Sequence, residues 1–295
     1  MSDRDPRQAA TRAQSPGSAP TEPSMASPVR LRLEHVSKRF ALPGGKETIA
    51  LEDFSLDIRQ GEFLVIVGPS GCGKTTVLNL LAGLQMPSGG TVALDGRTIE
   101  GPGPERGVVF QDYALFPWHT VRGNVEFGLR HGPAGKGLDA AGRNERARQA
   151  IDLVGLAGSE MKFPHQLSGG MRQRVALARL MANEPAVLLM DEPLAALDAQ
   201  TRIILQDELL RIWGQDRPAT ERRTVVFITH AIDEAVFLAD RIAVMTTHPG
   251  RLKAVIDVPL PRPRGDATRA HPQFQALTQH IWSLIRDEAY RATVT

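Results

Sequence analysis

Gly68-Pro69-Ser70-Gly71-Cys72-Gly73-Lys74-Thr75-Thr76 is the stretch on which the reading of this chain turns. A glycine, four residues and then Gly73-Lys74-Thr75 sit between two different hydrophobic patterns. Ahead of them, Phe63 to Val67 is apolar and β-branched, which predicts a buried strand. Behind them, Val77, Leu78, Leu81 and Leu84 fall on one face of a predicted helix. Glycines at such a junction let successive backbone N–H groups turn toward an anion, and the helix dipole adds positive potential. A Cβ there would hold phosphate oxygens away. Lys74 is placed to reach β- and γ-phosphates, and the Thr75 hydroxyl to ligate Mg²⁺. The plain alternative is a glycine-rich turn with a surface lysine. Strand, glycines, Lys-Thr and helix in register weigh against it, but the stretch alone does not say which kind of nucleotide enzyme follows.

The bulk numbers set outer bounds. A chain of 295 residues suffices for one large domain or two modest ones. Net charge is only +2 with acids and bases mixed, and no basic stripe points to nucleic acid. The single cysteine, Cys72, lies inside the glycine-rich loop, which rules out an internal disulfide and fits a reducing compartment. Cys72 reads as small filler in a tight loop rather than a reactive thiol. No apolar run approaches the roughly 18 residues of a membrane span, and the start lacks an apolar signal core. The expectation is a soluble cytoplasmic protein that can still dock on a membrane protein.

Residues 1–28 are rich in Ser, Pro, Ala and Arg, and are expected to be a disordered tail. Val29 to Val36 alternates like a half-exposed strand, and Ile49 to Ile58 predicts a partner in the same sheet. Phe40 lies between them, suited either to the core or to stacking on a base. Thr91 to Leu94 and Asp95-Gly96 predict a strand and hairpin, and Gly107 to Phe110 a buried strand ending at Gln111. Thr120 is a predicted N-cap. From about 112 to 183 the chain loses strand character, with helices over Arg143 to Val154 and Met171 to Met181, so a helical subdomain is expected within an α/β core. Further strands follow at Val187 to Met190, Thr224 to Ile228, Ile242 to Met245 and Leu252 to Val258, with helices at Arg202 to Trp213 and Ala231 to Leu238. Pro259 to Arg264 reads as an extended linker, and Phe274, Leu277, Ile281, Leu284 and Ile285 as one face of a final amphipathic helix. The domains are thus a tail over 1–28, a catalytic unit over 29–260, and a linker with helix over 261–295.

Several strands carry their polar residues at the C-terminal end, where open α/β sheets bind ligands. Lys74, Gln111, Asp191, Glu192 and His230 are therefore expected to meet in one crevice. A carboxylate ending an apolar strand is costly unless satisfied, and a Mg²⁺ shell would satisfy Asp191. Glu192 is suited to orient a water against a γ-phosphate, His230 to donate to that phosphate, and Gln111 to contact the metal or the water. Taken singly, each has a plainer reading: a capping acid, a surface acid, a satisfied loop histidine. Leu167-Ser168-Gly169-Gly170-Met171 is a second glycine-bearing helix start, capped by Ser168, and forms another anion site or an ordinary cap.

Together these motifs resemble the ATP-binding subunits of ATP-binding cassette transporters over roughly residues 30 to 260. They comprise the loop Gly68 to Thr75, Gln111, the signature Leu167 to Met171, the Val-Leu-Leu-Met-Asp-Glu strand at 187–192, the Ala-Leu-Asp at 196–198 and His230. The resemblance implies a P-loop NTPase core with an antiparallel β subdomain and a helical subdomain. It implies ATP and Mg²⁺ as cofactors, held by Gly68, Pro69, Ser70, Gly71, Cys72, Gly73, Lys74, Thr75 and Thr76, with Phe40 stacked on adenine. It assigns the metal to Thr75, Gln111 and Asp191, and catalysis to Glu192, His230, Lys74 and Gln111. It also implies a head-to-tail dimer with a second copy of the chain. There Ser168, Gly169 and Gly170 reach the partner's nucleotide and Asp198 lies at the interface. Met171 stands where glutamine is commoner, and Leu194-Ala195 where Phe-Gly or Phe-Ser is usual; neither change removes a phosphate or metal contact.

Gly101 to Gln111, Leu115-Phe116-Pro117-Trp118, Asn124-Val125, the His-Pro-Gly-Arg at 248–251 and the Leu-Pro-Arg-Pro-Arg at 260–264 are similar to importers of taurine, aliphatic sulfonates and nitrate. This implies integral membrane permease subunits as partners, a periplasmic solute-binding protein indirectly, and a peripheral place on the cytoplasmic face of a bacterial inner membrane. Residues 112–125, with Trp118, are the candidate docking surface. A small-molecule kinase, a non-transport cassette ATPase and an exporter subunit are the rival readings.

Overall fold

The computed structural model describes residues 27–195 and 197–294. Most of the expected tail, and Ala196 of the Ala-Leu-Asp motif, lie outside the described residues. In chain order the elements are β1 (Val29–Ala41), β2 (Glu47–Arg59), β3 (Phe63–Val67), α1 (Lys74–Ala82), β4 (Gly89–Leu94), β5 (Arg97–Thr98) and β6 (Arg106–Val109). Then come α2 (Val121–His131), α3 (Ala140–Leu153), α4 (Gly169–Ala182), β7 (Val187–Asp191), α5 (Ala199–Trp213), β8 (Thr224–Ile228) and α6 (Ile232–Leu238). The chain closes with β9 (Arg241–Met245), β10 (Leu252–Asp257), α7 (Asp266–Arg269) and α8 (Pro272–Val294).

Two sheets result, one of six strands in the order β10-β9-β3-β8-β7-β6 and one of four in the order β2-β1-β4-β5. In the larger sheet β9, β3, β8, β7 and β6 run parallel, and only β10 is antiparallel to its neighbour. The smaller sheet is antiparallel throughout. This is the mixed sheet with helices and an added antiparallel sheet that the sequence predicts.

The strand period of two sorts the core. Phe63, Val65 and Val67 of β3 and Leu188 and Met190 of β7 join one cluster, with Val125 of α2, Val175 of α4, Leu209 of α5 and Phe237 of α6. Leu64, Ile66, Val187 and Leu189 point to the other face, against Val77 and Leu81 of α1 and Leu33 and Phe54 of β1 and β2. Each such fully buried side chain is worth about 1.5–3 kcal/mol relative to exposure. Burial on both faces is why these strands read as unbroken apolar runs.

The helical region packs α2, α3 and α4 together. Thr120 caps α2 as predicted, accepting from the Gly123 N–H at 3.2 Å. Asn124, fully buried, accepts from the Phe116 N–H at 2.8 Å and donates to the Phe116, His119 and Thr120 carbonyls, which pins the preceding loop to α2.

Two expectations change. Leu84 is not on the α1 face: Gly83, at φ 74°, closes the helix, and Leu84 beyond it is 46% exposed. The segment Pro259 to Arg264 is not a free linker either. Arg262 donates to Asp240 Oδ1 at 2.7 Å and to the Leu238 carbonyl at 2.8 Å, and its guanidinium lies 4.2 Å from the Trp213 ring. Arg264 donates to the Val236 and Phe237 carbonyls at 3.2 and 2.9 Å. Beyond it, Phe274 and Ile281 of α8 belong to the main core cluster.

Candidate active site

Because β3, β8, β7 and β6 are parallel neighbours, their C-terminal ends lie along one edge of the sheet. That edge receives the glycine-rich loop from β3, Asp191 and Glu192 from β7, Thr229 and His230 from β8, and Gln111 two residues past β6.

The loop after β3 turns into α1, whose start carries no side-chain cap. Its first N–H groups therefore need another acceptor. The Lys74 ammonium lies within the loop, donating to the Gly68 and Pro69 carbonyls at 2.9 Å each. The glycines here serve different ends. A Cβ on Gly73 would meet the Ala50 carbonyl at 2.9 Å, and one on Gly68 the Cys72 sulfur at 2.8 Å, so these two are demanded by the protein's own packing. Gly71 is exposed with φ +77°, and a Cβ there would meet nothing within 4 Å, so it is the backbone conformation rather than crowding that asks for glycine. Ser70 is exposed on the rim, Pro69 and Thr76 are half-buried, and Cys72 is buried, its thiol pushed up by burial against the opposing pull of Lys74.

Asp191 is buried at the end of β7 and accepts a hydrogen bond from the Thr75 side chain. Burial pushes its carboxyl above the usual range; the Thr75 bond and the Lys74 charge oppose this, and the Glu192 charge adds to it. A hydroxyl and a carboxylate side by side are the hard oxygen donors that Mg²⁺ takes, one or two from protein and the rest from phosphate and water. The residues present fit that ion.

Glu192 follows with φ 44°, a left-handed conformation unusual for a residue with a side chain. Its N–H donates to the Ile228 carbonyl of β8 at 3.0 Å. Glu192 Oε2 lies 3.3 Å from His230 Nδ1; the Glu192 side chain is 22% exposed and that of His230 63%. The twist at Glu192 separates two adjacent carboxylates, sending one toward Thr75 and the other toward His230.

Not every expected member touches the rest. Gln111 is exposed on the same edge, and among the described residues no hydrogen bond joins it to Thr75, Asp191 or Glu192. Phe40 sits on β1 opposite Thr48, half-buried, outside both core clusters, with the Lys38 ammonium 5.1 Å from its ring. Ser168 caps α4, accepting from the Met171 N–H at 3.3 Å. With Gly169, Gly170, Leu197, Asp198 and Thr201 it lines a cavity of about 420 Å³ that no residue of the glycine-rich loop enters. Asp198 itself caps α5, accepting from the Thr201 N–H at 2.9 Å.

One feature escapes sequence reasoning. An apolar groove of about 600 Å³ lies between the large sheet and the helical region, lined by Leu84, Pro104, Phe110, Phe116, Phe127 and Pro133 among others. Of the expected docking stretch 112–125, Ala114 and Phe116 reach it, while Trp118, 69% exposed, does not. The available signal was Leu84, stranded beyond a helix-ending glycine.

Known proteins share this sequence pattern and this fold. The family profile described as "ABC transporter" matches residues 51–195. An uncharacterized ABC transporter ATP-binding protein of Methanocaldococcus jannaschii is 48% identical over 90% of this chain and 94% of its own. A taurine import ATP-binding protein of Jannaschia sp. is 43% identical over 87% of this chain and 94% of its own. A nitrate import ATP-binding protein of Synechococcus elongatus is 47% identical over 80% of this chain, but only 35% of its own length. Among solved structures, a dimeric ATP-binding cassette in a post-hydrolysis state with ADP and Pi is similar with a TM-score of 0.69 and 32% identity, over 77% of this chain and 98% of that one.

Proposed function

The chain belongs to the ABC transporter family, and from that premise we propose that it is the ATP-hydrolysing subunit of an importer for taurine or another aliphatic sulfonate. The observation that carries the ATPase reading is the convergence of Lys74, Thr75, Asp191, Glu192 and His230 on one sheet edge. Residues Gly68 to Thr76 would hold the phosphates, Phe40 the adenine, and Thr75, Asp191 and Gln111 the Mg²⁺. Held there, that ion would supply positive charge to offset the negative charge of the phosphates. Glu192 holds and polarises the attacking water and takes its proton, while His230 fixes the Glu192 carboxylate and donates toward the phosphate. Lys74 supplies positive charge from within the loop.

In this reading two copies pair head to tail, so that Ser168, Gly169 and Gly170 of one face the loop of the other, with Asp198 between them. The cavity at Ser168, which no glycine-rich-loop residue of the same chain enters, supports that arrangement. Among the described residues no helix is long and apolar enough to cross a membrane. In this reading the chain acts peripherally, on the cytoplasmic face of the inner membrane, through permease subunits seated in the apolar groove beside Gln111 and fed by a periplasmic binding protein.

The sulfonate assignment leans on the Gly-Pro-Gly and Pro-Trp stretches and on the taurine-import relative. Nitrate is the second reading, favoured by the nitrate-import relative. Uptake of labelled taurine and of nitrate by membranes carrying the chain with its permease separates them: ATP-dependent taurine uptake supports the first, nitrate uptake alone the second. Phosphate release from ATP by the purified chain tests the ATPase reading, and its absence with and without permease would overturn that reading.

A further inference from the structure

The C-terminal segment reaches the His230 loop through a continuous set of polar contacts. Arg269, the last residue of α7, donates from Nη2 to Gln206 Oε1 at 2.7 Å. Gln206 Nε2 donates onward to Glu234 Oε1 at 3.1 Å. Glu234 bonds the Thr229 side chain, and Thr229 Oγ1 accepts from the Ala231 N–H at 3.0 Å. Thr229 and Ala231 flank His230, so the backbone on both sides of it is fastened to this chain of groups. Gln206 and Glu234 are 3% and 5% exposed, and Gln206, Glu234, Arg269 and His230 all line one cavity of about 460 Å³ between α5, α6 and α8.

The direction of the bonds matters. Arginine can only donate, so Arg269 obliges the Gln206 amide to turn its oxygen toward α7 and its NH₂ toward Glu234. Without that donor the Gln206 oxygen is left unpaired in a buried site, a costly state that the side chain relieves by shifting away from Glu234. Glu234, and Thr229 which shares it, would then lose part of their anchor. The Arg269 guanidinium also lies 3.7 Å from the centroid of Phe237, which holds it in place.

We propose that Arg269 is a positioning residue for hydrolysis, setting the His230 loop through Gln206, Glu234 and Thr229. The proposal rests on the ATPase reading above. It gives the C-terminal segment a part in the reaction though Arg269 touches neither Glu192 nor His230.

The test is steady-state ATP hydrolysis by the full chain. Arg269→Met keeps the apolar stem and removes the donor; kcat falls about tenfold while KM for ATP stays within about twofold. Arg269→Lys, which retains a donor, recovers most of the loss. Gln206→Met breaks the next link and gives the same fall in kcat, and the double variant is no worse than either single one. If Arg269→Met does not fold, Gln206→Met alone decides by the same criterion. A parent-like kcat, a KM that moves as far as kcat, or losses that multiply in the double variant would overturn the proposal. His230→Ala is assayed alongside: if it turns over ATP like the parent, the role given to His230 fails, whatever Arg269→Met does.

Discussion

Glu192 Oε2 lies 3.3 Å from His230 Nδ1, although the two residues close different strands. What brings them together is the backbone at Glu192, held at φ 44° and tied by its N–H to Ile228 of β8. A side chain in that conformation costs about 1–3 kcal/mol and persists where the surroundings fix it. Glu192→Gln should keep ATP affinity and lower turnover about 10²–10⁴-fold, the range for a lost general base, measured as phosphate release beside nucleotide binding. Glu192→Gly should lose turnover as well, yet melt higher, because glycine adopts that φ without strain. Parent-like hydrolysis by Glu192→Gln would remove Glu192 from its role.

Asp191 carries a pH signature. Burial holds its carboxyl above the usual range, so the folded state binds this proton more tightly than the unfolded state does. Its burial therefore costs stability above the raised folded value, and costs nothing below the unfolded value of about 3.9. Asp191→Asn removes the charge that is penalised. The variant should melt higher than the parent near neutral pH, by about 2–4 °C for each kcal/mol regained. Its margin should shrink as pH falls toward the unfolded value, and its Mg²⁺-dependent turnover should be lost. A margin that is constant across pH would contradict the assignment.

Arg262 tests the C-terminal attachment. It pairs with Asp240 at 2.7 Å, the two side chains being only 2% and 8% exposed. Removing one partner of a buried pair leaves the other uncompensated, at about 3–5 kcal/mol. Arg262→Ala should lose stability on that scale in urea melts. A loss below about 1 kcal/mol, the range of a surface ion pair, would mean the segment is only loosely held.

Much of this was legible in the sequence because local rules and tertiary structure agree. β3, β7 and β8 are buried on both faces, so their apolar runs stand out and the polar residues ending them mark the site edge. Thr120, Ser168 and the turn at Asp95-Gly96 follow local capping and hairpin chemistry. What stayed hidden depends on pairs far apart in sequence. Arg262 looks like one more charge in a proline-rich stretch until Asp240 and Trp213 arrive beside it. Leu84, Phe110, Phe116 and Phe127 read as unrelated apolar residues until folding lines them along one groove. The split use of the glycines, Gly73 against Ala50 and Gly71 against open space, required the packing itself.

The central claim is that each ATP site combines the glycine-rich loop of one copy with Ser168 of the other, and mixing two inactive variants tests it most directly. Lys74→Ala disables the loop, and Ser168→Arg blocks the helix start without touching the loop of its own chain. Each alone should be inactive, with Ser168→Arg still binding ATP as a monomer. Mixed and allowed to exchange, they form heterodimers in which one site has both an intact loop and an intact Ser168, so phosphate release should reappear. No recovery in a mixture shown to contain heterodimers, or parent-like turnover by Ser168→Arg alone, would contradict the shared site.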